Sequence, residues 1–309
     1  MRSFACPACA ATVFFTSSSC ASCNERLAYD VVADQFLGGS EVCQSNHRVT
    51  DNGSPCNWVS ASTDGWCRSC LLDIEHSNHE LECSFQEAKR RTLRQLARFG
   101  VDPSTGTPVL SFDLRPSTSS ARVITGHSNG LVTIDIAEAD PVTLAEVQEQ
   151  LGEPYRTPLG HVRHEVGHWY WAWAVGEAFS VADVRDRFGD ERVDYSASLA
   201  EHYAGSDDGS WTAEFLSHYA SAHPWEDFAE SFAHVLHMQD TLETAAAHGL
   251  IAPNDGITFD ARYATWASLA VALNDLNRSM GTPDPYPFVV PPAAVEKLRF
   301  VDDALRSGN

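Results

Sequence analysis

The residues best equipped to do chemistry lie in one short stretch, His164-Glu165-Val166-Gly167-His168. Two histidines four apart on a helix share one face, a turn apart, and can hold one metal ion from the same side. A glutamate beside them is within reach of water activated by that ion and can take its proton. H-E-x-x-H is therefore the pattern of a zinc hydrolase. Five residues with two open positions also arise by chance on surface helices, so the rest of the chain must add weight.

A helix has to present those residues, and the sequence predicts one. Thr157-Pro158 offers a capping hydroxyl and then proline at the first helical position, and no proline interrupts 159–174. Behind the motif, Trp169, Tyr170, Trp171 and Trp173 read as core packing. A hydrolytic zinc site takes a third protein ligand and keeps a fourth position for water. The candidate segment is Pro224-Trp225-Glu226-Asp227-Phe228-Ala229-Glu230, where proline opens a helix whose apolar spacing continues to about Met238. Glu226 and Glu230 share one face of it. Glu226 is assigned as the third ligand, and Glu230 as the group that hydrogen-bonds a ligating histidine and fixes its tautomer. The reverse assignment stays open. Hydrolysis also needs a donor for the developing oxyanion. Tyr219 and His223, just upstream of Glu226, are candidates for that role, each weighed against ordinary packing or capping.

Eight of the nine cysteines precede Cys83. Cys6-x-x-Cys9 and Cys20-x-x-Cys23 have the spacing of a zinc ribbon, in which four thiolates close a tetrahedron and leave no open position. Such a site is structural. Cys43, Cys56, Cys67 and Cys70 form a second set of four, and His47 could replace one of them. Cys83 falls outside both and reads as a buried bystander. An odd count and ligand-like spacing argue against disulfides. A segment this short and loop-rich builds little core, so metal would supply its folding energy.

Ser84-Phe85-Gln86-Glu87 is a capping-box pattern that predicts a helix to about Phe99, ended by Gly100. Its Lys89, Arg90, Arg91, Arg94 and Arg98 are the one basic cluster in the chain. The plain reading is a solvated face or one docked on the acidic body; the sharper one is a nucleic-acid contact. Residues 109–114, 121–125 and 131–136 read as strands, the last alternating cleanly. A strand just ahead of the metal helix could serve as an edge that aligns an extended peptide. Further helices are predicted over 180–188, 196–203, 261–279 and 292–305, the last two joined by a proline-rich connector.

The 309 residues suffice for one large domain or two unequal ones, and 43% are hydrophobic. The formal charge is -21, with 42 acidic against 21 basic side chains, which weighs against nucleic acid and anionic lipid as partners. No apolar run is long enough to span a membrane, and Met1-Arg2-Ser3-Phe4-Ala5-Cys6 lacks the apolar core of a signal peptide. The expectation is a cytoplasmic protein.

The H-E-x-x-H helix followed by E-x-x-x-E resembles the gluzincin metallopeptidases, and 226–230 is similar to the corresponding stretch of lethal-factor-like members. More closely, the chain resembles a bacterial family of zinc-binding metallopeptidases with an N-terminal zinc ribbon. The stretches that carry this are the paired cysteine knuckles, Cys56-Asn57-Trp58, Thr125-Gly126-His127, Ile136-Ala137-Glu138-Ala139-Asp140, Gly152-Glu153-Pro154-Tyr155-Arg156-Thr157 and His223-Pro224-Trp225-Glu226-Asp227. The resemblance implies a zincin-like catalytic domain, and its lethal-factor-like side favours Tyr219 as the oxyanion donor. It implies no particular substrate.

The sequence thus predicts an α+β protein with a tandem zinc-binding module over 1–80 and a zincin-like domain over 81–309. One catalytic and two structural zinc ions are expected. The expected activity is hydrolysis of a protein or peptide by water that Glu165 deprotonates, with the ribbons recruiting substrate or partner. The rival from another class is a non-catalytic protein-binding scaffold. Nucleic-acid binding ranks third, because 1–80 carries only Arg2, Arg26, Arg48 and Arg68 as basic residues.

Overall fold

The structure, a computed structural model, describes residues 2–47, 55–76, 80–118, 121–151, 156–175, 178–205, 207–253 and 256–307. The chain divides into two compact units, Met1–Val162 and Arg163–Asn309. Both combine short strands or loops with helices, and the protein is α+β with small sheets, as expected from the sequence.

The first unit opens with two antiparallel hairpins, β1 (Phe4–Ala5) with β2 (Thr12–Val13) and β3 (Ala28–Asp30) with β4 (Gln35–Leu37). The rings of Phe4, Phe15, Tyr29, Phe36 and Trp58 pack around them, edge-on except for the tilted Tyr29–Trp58 pair, with Phe15 and Tyr29 at 5.0 Å. Asn57 ties this module together by donating to the carbonyls of Phe15 and Ser17, at 2.6 and 3.0 Å. The helix α1 (Glu82–Arg98) starts two residues before the capping box, so Ser84 lies inside it, and Gly100 ends it at a φ of 74°.

The basic cluster on α1 is not a solvated face. Lys89, Arg90 and Arg94 are buried. Arg94 bonds Asp34 at 2.8 Å and the Tyr29 hydroxyl at 3.1 Å, and Lys89 pairs with Asp73. Both acids belong to the cysteine-rich module, so within the first unit α1 and that module are joined by charge pairs. Cys83 is half-buried on α1 rather than buried.

Next come β5 (Ser111–Arg115), β6 (Gly126–Ser128) and β7 (Leu131–Asp135), in the order β5-β7-β6, with β5 parallel and β6 antiparallel to β7. The alternating strand is therefore the centre of the sheet, and both of its edges are already paired. The expected strand over 121–125 is absent among the described residues there; the strand starts at Gly126. Two stretches that carried the resemblance meet here: Glu138 binds Arg156 at 2.7 Å and lies 3.4 Å from His161. Residues 152–155 of the second stretch lie outside the described residues. The helix α2 (Pro141–Leu151) was not anticipated.

The helix α3 (Pro158–Ala174) begins as predicted, with the Thr157 hydroxyl accepting from the Gly160 amide at 3.0 Å. The second unit comprises its later turns, α4 (Val181–Phe188), α5 (Tyr195–Ala204), α6 (Pro224–Ala247), α7 (Phe259–Ser279) and α8 (Pro292–Ser307). The helix α6 runs nine residues beyond Met238, buried along most of its length, and packs against α4, α7 and α8. Trp169, Tyr170, Phe228 and Phe232 form the core behind the motif. Lys297 of α8 reaches into it and pairs with Asp227 at 2.6 Å.

The helices α3 and α6 approach closely at one level. A Cβ on Gly167 would stand 3.0 Å from the Cα of Ala229 and 3.2 Å from its carbonyl oxygen. Those are backbone atoms of a buried helix and cannot step aside. Alanine is the better helix former by about 1 kcal/mol, but overpacking costs about 1–3 kcal/mol. Gly167→Ala is expected to lower the thermal unfolding midpoint by several degrees, and Gly167→Val by more. A midpoint for the alanine variant at or above wild type would show that the helices are not held at this distance.

Candidate metal centre

Three groups of residues are placed to hold a metal ion among the described residues. Two are the cysteine sets read from the sequence. In the first, Cys6 Sγ lies 3.7 Å from Cys23 Sγ, and Cys9 Sγ lies 3.7 Å from Cys20 Sγ. In the second, Cys56 and Cys67 are 3.6 Å apart and all four thiols are buried. Disulfide sulfurs sit at about 2.05 Å, whereas thiolates at about 2.3 Å from a tetrahedral zinc lie roughly 3.8 Å from one another. The spacing fits zinc. The His47 side chain lies outside the described residues, and the four cysteines complete the second group without it.

The third group is His164, His168 and Glu226. It is built where α3 and α6 cross. The histidines present successive turns of α3, and Glu226 projects from the first turn of α6. Its atoms converge: His164 Nε2 to Glu226 Oε2 is 2.9 Å, His168 Nε2 to Glu226 Oε2 is 3.3 Å, and the two Nε2 atoms are 3.2 Å apart. Ligands at 2.0–2.1 Å from a tetrahedral ion lie roughly 3.3 Å apart. The donor set therefore fits a zinc ion, with a fourth position left over.

His164 and Glu226 are each held from outside the triad. His164 Nδ1 donates to Glu230 Oε1 at 2.8 Å, which turns Nε2 towards the centre, where it can serve as a ligand once its proton is lost. Ser217 donates to the other oxygen of Glu230 at 2.9 Å. Tyr195, at the start of α5, donates its hydroxyl to Glu226 Oε1 at 2.6 Å. Glu226 faces the two histidines, and Glu230 meets His164 from its far side. Glu165 is buried beside His164.

The electrostatics follow from burial and pairing. Burial alone would raise the pKa of Glu226, but the adjacent imidazoles reverse the sign and hold its carboxyl well below the usual range. Burial would likewise lower His164, yet its hydrogen bonds to Glu226 and Glu230 outweigh that and raise it. Tyr195 and Tyr219 are both pushed up, first by burial, then by the charge of Glu226 and also of Glu165, so both hydroxyls stay protonated. Asp227 is pushed up to about 7 by burial, against the pull of Lys297.

The two candidate oxyanion donors are placed differently. The Tyr219 ring lies 5.8 Å from the His164 ring, at the edge of the centre. His223 is the cap of α6. Its Nδ1 accepts from the Trp225 amide at 3.1 Å, and its Nε2–H donates to the Val193 carbonyl at 3.3 Å. Both ring nitrogens are committed to structure, so His223 has no donor to offer a substrate. Sequence reasoning did not single out Tyr195 or Ser217. Neither bears a periodic relation to the motifs, being 31 and 13 residues from the acids they bind.

An uncharacterized protein of Mycobacterium bovis and uncharacterized proteins from two strains of Mycobacterium tuberculosis are each 37% identical to the chain, over 97% of it and 94% of the relative. No solved structure matches it. Residues 79–304 match the model of one protein family, which takes in all three members of the His164 group. The chain belongs to that family, described as "Putative zinc-binding metallo-peptidase".

Proposed function

We propose that the protein is a zinc-dependent peptidase whose centre is His164, His168 and Glu226. The observation that carries the reading is the convergence of these three ligand atoms, with Glu165 adjacent on the same helix. Zinc in such a centre supplies Lewis-acid chemistry, acidifying water and polarising a carbonyl. The Glu165 carboxylate takes the proton of the attacking water and passes it to the nitrogen of the leaving amine. Burial of Glu165 supports this, because a base shielded from bulk water keeps its proton for the leaving group. Glu230 orients His164, and Ser217 orients Glu230. Tyr219, protonated and beside the centre, is the donor to the oxyanion. The substrate is a protein or peptide.

The two cysteine groups hold structural zinc, and their module recruits substrate or partner. Inward-facing Lys89, Arg90 and Arg94 speak against a nucleic-acid role for α1. Eight of the nine cysteines lie in metal-ligand clusters, which suits the reducing cytoplasm. No helix among the described residues is long and apolar enough to cross a membrane.

Metal analysis separates this reading from that of a scaffold. Wild type is expected to hold about three zinc ions per chain and the His164→Ala, His168→Ala double variant about two. Two ions in both would leave only the cysteine groups as metal sites. Glu165→Gln should keep all three ions and lose protein cleavage by roughly 10²–10⁴-fold. Equal cleavage by that variant would remove Glu165 from the chemistry.

The third ion should also show a pH dependence of known sign. A raised pKa means that metal-free His164 holds a proton until the pH passes that value, and zinc must expel it. Affinity at the histidine site is expected to rise with pH through neutrality and to fall in mild acid. Chelator competition at several pH values measures this; a flat profile would mean that His164 carries no proton in the metal-free protein.

A further inference from the structure

The start of α5 is stapled to the start of α6 by more than one contact. Val193 accepts from His223 Nε2, the cap of α6. The Tyr195 ring meets the His223 ring edge-on at 5.1 Å and lies 5.6 Å from Trp225. Asp194 caps α5 by accepting from the Ala197 amide at 2.9 Å, which sets the first turn where Tyr195 stands. The Tyr195 hydroxyl is thus delivered to Glu226 by a fixed ring on a capped helix. Glu226 itself is wholly buried, so water cannot compete for its oxygens.

A carboxylate can grip an ion through one oxygen or two, and the choice changes how many positions remain. Here the two oxygens of Glu226 face different partners: Oε2 lies within 3.3 Å of both histidines, while Oε1 accepts from Tyr195 at 2.6 Å. We propose that Tyr195 is a positioning residue that holds Glu226 as a one-oxygen ligand, occupying Oε1 so that the fourth position stays open for water. This rests on the reading of the triad as a zinc centre. Tyr195 then does for Glu226 what Glu230 does for His164. Removing such an outer partner commonly weakens metal binding by about 10–100-fold.

The test uses the full chain with Zn²⁺, and with Co²⁺ as a spectroscopic substitute. Tyr195→Phe removes only the hydroxyl and keeps the ring against His223 and Trp225. Tyr219→Phe is the comparison, since its ring lies at the centre's edge. Ions per chain, chelator competition and the visible Co²⁺ spectrum are measured for each, along with the unfolding midpoint of the metal-free proteins. The expected result for Tyr195→Phe is loss of the third ion to chelator roughly 10–100-fold more readily, with both cysteine sites unchanged. The Co²⁺ bands of the histidine site should shift, and the metal-free midpoint should hold. Tyr219→Phe should retain the third ion. If wild type binds a third ion and Tyr195→Phe binds it within twofold and with the same spectrum, the role of Tyr195 is overturned while the zinc centre stands. A lower midpoint with unchanged affinity would overturn it in the same way, marking Tyr195 as a packing residue. If wild type itself binds no third ion, both the zinc centre and the role of Tyr195 fall.

Discussion

The centre depends on how closely two helices approach. Gly167 has no side chain, and α6 lays the backbone of Ala229 into that gap. Gly167 lies between the two histidines of its helix, and Ala229 lies just before Glu230 in α6. A wider spacing would carry Glu226 away from the Nε2 atoms and Glu230 away from Nδ1 together. One close contact thus sets the distances on both sides of His164. The position that reads as free in H-E-x-x-H is the one that brings the second helix near enough to complete the triad.

Charge does comparable work elsewhere in each unit. In the first, Arg94 with Asp34 and Lys89 with Asp73 join α1 to a module whose own core is little more than a cluster of aromatic rings. In the second, Lys297 draws α8 to Asp227, the neighbour of Glu226. Buried ions of this kind are costly to desolvate, and breaking one partner leaves the other uncompensated. Each pair ties one helix to an acid on another segment. The acidic surplus of the sequence supplies these partners, so Lys89, Arg94 and Lys297 are turned inward instead of meeting a partner in solution.

The motif stretches that carried the family resemblance are largely structural. Asn57 ties the hairpins together, Glu138 joins Arg156 to the turn after the sheet, and His223 caps α6. His223 illustrates the limit of proximity in sequence. It stands three residues from Glu226, and both of its nitrogens serve the helix terminus. Tyr219, a turn earlier, reaches the edge of the centre instead. Sequence distance does not separate the two; hydrogen bonding does.

Local chemistry and short spacings were legible in the chain itself. The four-residue interval of H-E-x-x-H puts its histidines on one helix face, because helical geometry leaves little choice, and the C-x-x-C pairs announce their ligand sets for the same local reason. The starts of α3 and α6 were legible too, from a capping threonine and from prolines at the first helical position. Tertiary structure alone decided the rest. It chose Glu226 over Glu230 to face the histidines, since both share a helix face and only the packing of α6 on α3 distinguishes them. It brought Tyr195 and Ser217 to their acids across loops that no periodicity spans. It also turned the basic face of α1 inward, because Asp34 and Asp73 are near α1 in space and far from it in sequence. Contacts between distant segments depend on which surfaces can be buried together, and that is a property of the folded chain, not of any one stretch.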